Sequence, residues 1–178
     1  MPEFVLRNGV ELQRLDASHV DPLYEIVIRE RTRLARWMPW AQGSSRQDID
    51  DFVRRTIEQH EAGQGMQTAI VADGRVAGTI GVHGISWPNA STSIGYWLSE
   101  LYEGRGIMTS AVRAYTEHAF RGWKLNRMEL RAAVENRRSR AVAERLGFVE
   151  EGVLRQAERV GNRYHDLVVY SALAREWR

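Results

Sequence analysis

GYWLSELYEGRGIMTSAV, Gly95 to Val112, decides how this chain is read. Ile94, Tyr96 and Leu98 alternate as in a strand, Gly104-Arg105-Gly106 makes a polar turn, and a helical pattern begins directly after it. Strand, glycine turn and helix start leave several backbone N–H groups unpaired at the positive end of a helix dipole. Such a place takes one anionic group, a phosphate above all. The turn does not spell Gly-x-x-x-x-Gly-Lys-Ser/Thr, which excludes a nucleoside-triphosphatase loop. Nor does it spell Gly-x-Gly-x-x-Gly with an acidic residue about 20 positions on, which argues against a dinucleotide fold.

Upstream, residues 10–15 alternate as a strand. Residues 19–33 carry Leu23, Ile26 and Val27 at helical spacing until Trp37-Met38-Pro39-Trp40 breaks the pattern. Residues 48–62 form an amphipathic helix with Ile49, Phe52, Val53 and Ile57 on one stripe. Residues 66–72 and 76–85 are strands joined at Asp73-Gly74, a hairpin signal, and 91–98 is the strand before the glycine turn. Downstream come a helix over 104–120, a strand over 127–134, and a short helix over 137–146 ended by Gly147. Strands 148–160 and 164–173 then flank Gly161-Asn162. The order β, α, α, β, β, β, α, β, α, β, β is a mixed sheet with helices on its faces.

A chain of 178 residues has room for one well-buried core, so a single domain over residues 1–178 is expected. There is no cysteine, hence no disulfide framework, thiolate metal site or cysteine nucleophile. That fits a reducing cytoplasm, the expected location. MPEFVLRNGV has no basic patch followed by an apolar run, so no signal peptide is expected. No apolar stretch reaches the ~20 residues of a membrane span, so no membrane partner is expected. Net charge is only +2, and Lys124 is the sole lysine among many arginines. No basic stripe interleaved with aromatics appears, so no direct nucleic-acid partner is expected. His60, His83 and His118 lack metal-ligand spacing with carboxylates; they are read as structural, and no metal is expected.

About thirty residues after the glycine turn comes Val134-Glu135-Asn136-Arg137-Arg138-Ser139, then a short helix and Gly147-Phe148. A strand, an Asn, a short helix and Gly-Phe, placed after a strand–GRG–helix unit, closely resembles the Gcn5-related N-acetyltransferase (GNAT) family over residues 10–170. Within it the chain looks most like the RimJ/RimL protein N-terminal acetyltransferases, the RimL type above all. Ile94-Gly95-Tyr96-Trp97-Leu98, Gly104-Arg105-Gly106-Ile107-Met108-Thr109, Trp37-Met38-Pro39-Trp40 and Arg155-Gln156-Ala157-Glu158 followed by Tyr164-His165-Asp166 carry that likeness. Two positions depart from the wider family. Leu101 stands where its motif begins with Gln or Arg, and Ala143 stands where many members have a tyrosine that protonates the leaving thiolate. The resemblance implies an α/β (α+β) fold: a twisted, mostly antiparallel sheet of about seven strands, splayed between the fourth and fifth, with about four helices.

It also implies acetyl-CoA as donor, with its pyrophosphate on the N–H groups of Glu103, Gly104, Arg105, Gly106, Ile107, Met108 and Thr109. The pantetheine arm pairs with the backbone of Trp97, Leu98 and Ser99 in the splay, and Asn136 hydrogen-bonds it. One of Arg137, Arg138 and Arg140 is placed to reach the 3′-phosphate. Transfer needs a neutral amine, and an α-amino group (pKa ~7.7–8) is far easier to deprotonate near neutral pH than a lysine (~10.4). Glu158 is the candidate base, directly or through one water. Ser139, one turn after Asn136, is the candidate partner of the leaving thiolate. Leu98 or Ser99 supplies the N–H for the oxyanion.

If Gly161-Asn162 is a two-residue turn, Glu158 faces His165 across the hairpin and the two form a catalytic pair; an exposed charge pair with no role is the other reading. Trp37 and Trp40, among Arg29, Arg31, Arg33 and Arg36, either line an acceptor cleft rimmed for an acidic protein or pack in a core or dimer contact. Both readings stand at this point. The resemblance therefore implies an acetyl-CoA-dependent N-acetyltransferase acting on a protein N-terminus of the ribosomal-protein type, by direct attack in a ternary complex, and a homodimer. Acetylation of a small amine (a polyamine or antibiotic) and a non-catalytic acyl-CoA- or ribosome-binding module are the alternatives.

Overall fold

The computed structural model describes residues 2–177. Among these residues one sheet of eight strands runs in the spatial order β1-β2-β3-β4-β5-β6-β8-β7. The strands are β1 (Pro2–Val5), β2 (Glu11–Arg14), β3 (Met66–Ala72), β4 (Arg75–Ser86), β5 (Ser91–Leu98), β6 (Arg127–Ala133), β7 (Val149–Val160) and β8 (Arg163–Leu173). The α-helices are α1 (Val20–Arg29), α2 (Arg31–Leu34), α3 (Arg46–Glu61), α4 (Ile107–Glu117) and α5 (Arg137–Arg145). The mixed, mostly antiparallel sheet read from the sequence is present, with one strand and one helix more than expected. The extra strand, β1, is four residues long with too little alternation to be seen. The extra helix arises because the predicted 19–33 helix breaks at Glu30, whose φ of −111° is not helical.

Local chemistry accounts for the element ends. Ser45 and Asp48 cap α3 reciprocally: the Ser45 hydroxyl accepts the Asp48 N–H, and the Asp48 carboxylate accepts the Ser45 N–H. Asn136 caps α5 by accepting the Ser139 N–H at 3.2 Å. The helix expected over 104–120 starts at Ile107 and widens into a π turn at His118–Gly122.

The helices divide between the two faces of the sheet. On one face, Ile107, Ala111 and Tyr115 of α4 and Val142 and Ala143 of α5 pack on Ile70, Ile80, Ile94 and Leu130. On the other, Leu23 and Val27 of α1, Leu34 of α2 and Ile49 and Val53 of α3 pack on Ala69. The period of two along β5 follows: Tyr96 joins the α4–α5 side and Trp97 the α1–α3 side.

Among the described residues only β5 and β6 run parallel, and they pair over four positions, from Ser91↔Arg127 to Ile94↔Leu130. Beyond Leu130, β6 stays paired with β8 to Ala133, and β5 stays paired with β4 to Leu98. The two strands therefore part and leave a gap, as the expected splay requires. Ile94 and Leu130, the last pair before the gap, are 4% and 1% exposed, so the opening is anchored in packed core. Leu130→Ala is expected to cost about 2–5 kcal/mol of stability, read as a lower urea midpoint at unchanged m-value.

Candidate active site

The alternation of β5 decides which backbone groups reach the gap. The Ser99 N–H donates to the Ala77 carbonyl at 2.7 Å, so Ser99, Trp97 and Gly95 direct their polar groups to β4, whereas Tyr96 and Leu98 direct theirs to the gap. Ser99 also accepts the Tyr102 N–H, and its buried hydroxyl donates to Glu30 at 2.5 Å. This corrects the sequence reading: Ser99 and the Trp97 backbone are spent inside the protein. Tyr96 takes their place beside Leu98, whose carbonyl already accepts from Arg33 at 2.8 Å.

The glycine turn lies past the end of β5. Gly104 and Gly106 adopt φ of 74° and 73°, the left-handed region where a side chain is strained. The first backbone bond of α4 runs from the Ser110 N–H to the Gly106 carbonyl. Among the described residues, the N–H groups from Gly104 to Thr109 have no partner, which makes a row of donors at a helix N-terminus. Glu103 does not oppose an anion there as a free charge, because its carboxylate accepts from Arg33 at 2.9 Å and from Arg138.

A cleft of about 900 Å³ opens at the gap and is lined from both sides of the sheet. It brings together Asn136, Ser139, Glu158, Trp37, Trp40 and Trp97, residues far apart in the sequence. Both Trp37 and Trp40 line this cleft, Trp40 against Trp97 with ring centroids 6.0 Å apart and Trp37 against His165 at 5.9 Å. Asn136 uses its side-chain oxygen as the α5 cap, and its amide N–H groups have no partner among the described residues.

The β7–β8 hairpin has the expected register, Glu158↔His165, Arg159↔Tyr164 and Val160↔Arg163. The strands slip out of register between Leu154 and Glu158, where Gln156 takes a left-handed φ of 50° and its N–H donates to the Asp166 carboxylate at 2.7 Å. This bulge delivers Glu158 to the cleft. Burial pushes the half-buried Glu158 carboxyl up, against the pull of His165. The expected Glu158–His165 pair is otherwise not joined: among the described residues no hydrogen bond links them. His165 is buried, and its Nδ1 lies 3.7 Å from the Glu135 carboxylate with no hydrogen-bond partner.

The arginine rim read from the sequence is also corrected. Arg31 donates to the carbonyls of Gln42 and Ser44 at 2.6 and 2.9 Å, Arg29 to Glu30, and Arg33 to Glu30, Glu103 and Leu98. Arg31 holds the loop and Arg33 the end of β5. Arg55 and Arg131 line the cleft instead. Of the α5 arginines, Arg138 is on Glu103 and Arg140 on Tyr170 and the Val134 carbonyl; Arg137 is exposed, with no such partner among the described residues. Sequence reading missed two further features. His83, taken as structural, lines the cleft with its Nδ1 2.8 Å from the Gln67 amide. The Tyr96 hydroxyl meets Ser139 Oγ at 3.0 Å. Among the described residues no group of three or more His, Asp or Glu is placed to hold a metal.

A family model described as an acetyltransferase (GNAT) domain matches residues 10–149. The chain is 37% identical over 177 residues to YdaF of Bacillus subtilis (strain 168), which bears a provisional ribosomal N-acetyltransferase name; the match covers 97% of this chain and 95% of that protein. It is 32% identical over 167 residues to the ribosomal-protein-serine acetyltransferase of Escherichia coli (strain K12), covering 93% of each. Among solved structures, RimL, a ribosomal L7/L12 α-N-protein acetyltransferase in complex with coenzyme A, matches with a TM-score of 0.91 at 30% identity, over 97% of this chain and 98% of that one.

The charge network behind the gap makes a pH prediction. Burial pushes the Glu30 carboxyl up, but hydrogen bonds from Ser99, the Glu100 N–H and Arg33, with the charge of Arg33, together hold it below its ordinary value of 4.5. The unfolded chain therefore binds the Glu30 proton at higher pH than the folded one. The stabilisation is complete above that ordinary value and is lost as the pH falls through the lower folded value. Glu30→Gln is expected to destabilise by about 3 kcal/mol at neutral pH. The gap between variant and parent urea midpoints should then narrow as the pH falls below about 4.5; parallel midpoint curves would show that the carboxylate is not held.

Proposed function

The chain belongs to the GNAT acetyltransferase family and is an acetyl-CoA-dependent N-acetyltransferase, and from that premise we propose that its acceptor is the N-terminal α-amino group of a protein, of the ribosomal-protein type. The observation that carries this reading is the placement of a half-buried Glu158, its carboxyl pushed up, in one 900 Å³ cleft with Asn136 and Ser139. An α-amino group near ~8 needs only such a modest base, and a lysine near ~10.4 needs more. The acceptors in the names of the E. coli relative and of RimL, a ribosomal-protein serine and the α-amino group of L7/L12, support the same choice.

When bound, acetyl-CoA supplies the activated acetyl group. The N–H groups from Gly104 to Thr109 hold its pyrophosphate, a role that their free donors fit. Arg137, without a side-chain partner among the described residues, reaches for the 3′-phosphate. The gap-facing backbone of Tyr96 and Leu98, with the Asn136 amide, aligns the arm as an added strand. Glu158 takes the proton of the attacking amine, and the Leu98 N–H meets the negative charge that develops on the carbonyl oxygen. Ser139 Oγ faces the departing sulfur. Trp37 and Trp40 wall the cleft against water and contact the acceptor, and His165 backs the Trp37 ring from a smaller adjoining cavity.

The one sheet running from β1 to β8 supports a single domain. The lack of cysteine supports a cytoplasmic location, and among the described residues no helix is long and apolar enough to cross a membrane. A homodimer is supported by β7, an edge strand with Val149, Val153 and Leu154 exposed. Sedimentation velocity is expected to give twice the mass of one chain; a single-chain mass at all concentrations would remove the dimer.

Purified protein with acetyl-CoA is expected to acetylate peptides at an N-terminal Ser, Thr or Ala, identified by mass spectrometry. The rate should rise with pH as Glu158 and the amine lose their protons. Modification of lysines or small amines alone would overturn the acceptor assignment. Glu158→Gln is expected to lower turnover about 100-fold while acetyl-CoA affinity stays the same.

A further inference from the structure

On the reading above, Ser139 is the only hydroxyl that α5 (RRSRAVAER) carries, and it lines the cleft. A serine hydroxyl has one proton and rotates freely, and inside a helix it turns back toward the carbonyl one turn earlier. To serve a sulfur across the cleft, that proton has to be aimed away from the helix. Something must occupy the Ser139 oxygen from the other side.

The Tyr96 hydroxyl does so. It lies 3.0 Å from Ser139 Oγ and 3.3 Å from the Ser139 carbonyl. The contact to Oγ is the shorter of the two, and a phenol proton donated there leaves the serine proton free to turn into the cleft. We propose that Tyr96 is a positioning residue for acetyl transfer: it donates to Ser139 Oγ and thereby turns the serine proton toward the leaving sulfur of the thioester.

Two observations beyond the distance support this assignment. Tyr96 comes from β5 and Ser139 from α5, the helix that follows β6, so the contact ties together the two sides of the gap, and both residues line the cleft. The phenol is also a fixed donor. Burial pushes it up to about 12, against the lowering effect of the bond to Ser139. An ordinary aliphatic thiol, near ~8.5, is a stronger acid than such a phenol. No net proton therefore passes from Tyr96 to sulfur, and its contribution is direction.

The step balances without it being consumed. The amine nitrogen bonds the thioester carbon, and its proton goes to Glu158 and on to solvent. The C–S bond breaks with its electron pair on sulfur, which Ser139 hydrogen-bonds until sulfur takes a proton from solvent.

This inference rests on the proposed role of Ser139, and a variant cycle separates the two. Tyr96→Phe removes one oxygen and keeps the ring. It is expected to lower kcat about 10-fold, the scale of one net hydrogen bond, with the KM for acetyl-CoA unchanged. Ser139→Ala is expected to lose as much or more, and the double variant to match Ser139→Ala, because Tyr96 acts only through the serine. A second readout needs no turnover. By calorimetry at about pH 9, where much of a free thiol is ionised, the parent should bind CoA more tightly than desulfo-CoA. Tyr96→Phe and Ser139→Ala should each erase most of that preference.

Full activity in Ser139→Ala would remove the serine role and this inference with it. A slow Ser139→Ala beside a fully active Tyr96→Phe, or losses that multiply in the double variant, would overturn the Tyr96 assignment alone. A Tyr96→Phe chain that fails to fold would assign the hydroxyl to structure and overturn it too.

Discussion

Past Ile94 and Leu130 the parallel hydrogen bonding of β5 to β6 stops, and the site depends on the backbone groups released there. Buried main-chain donors and acceptors have to be paired, so a gap inside a sheet persists only if something else meets them. On β5 the Leu98 carbonyl is met by Arg33, and the strand end is fixed by Ser99 to Ala77 and Glu30. On the β6 side the Ala133 carbonyl accepts the Asn136 N–H at 2.8 Å, and Asn136 closes the strand by capping α5. On β5, among the described residues, what stays unmatched is the gap-facing backbone of Tyr96 and the Leu98 N–H, a short strip of strand edge open to a peptide-like ligand. The splay is thus a sheet interrupted at one place and sealed around it.

That seal explains why the charged residues of α1 and α2 are where they are. Glu30 breaks the first helix, and the break lets its carboxylate point back to Ser99, the Glu100 N–H and Arg33. Arg33 then reaches both the end of β5 and Glu103 of the glycine turn. A continuous helix over 19–33 would have carried these side chains past the strand.

This is also where sequence reading ran short. The order of elements and the Glu158–His165 register follow from local patterns: period-two runs, glycine turns and a two-residue hairpin, each visible within a dozen residues; the splay was implied by the family resemblance. The arginines of α2 did not yield to that approach, because their partners lie far along the chain; Arg33 and Glu103 are 70 residues apart. Charge clustering suggested a binding rim, whereas long-range pairing spends those arginines on the scaffold. Tyr96 was read as an apolar strand position, and nothing local says that its hydroxyl meets a serine 43 residues later. His83 was weighed for metal spacing, a test that does not ask which cavity a strand residue faces. Tertiary neighbours decide such roles, and one-dimensional spacing does not report them.

Glu103 raises the last electrostatic question, since a carboxylate beside a pyrophosphate cradle looks self-defeating. Two unit charges 4 Å apart near a protein surface interact by about 4 kcal/mol, enough to spoil the anion site if Glu103 were free. It is not free, because Arg33 and Arg138 both bind it, and with Glu30 also on Arg33 the four groups sum to no net charge. Arg105, in the turn itself, is neutralised by Asp73 at 2.8 Å and stays out of the cradle. The donors that remain for the phosphate are backbone N–H groups fixed by two left-handed glycines. Glu103 therefore acts as the clamp that ties α2 and α5 to the turn, holding the donor loop and the acceptor-side helices in one frame.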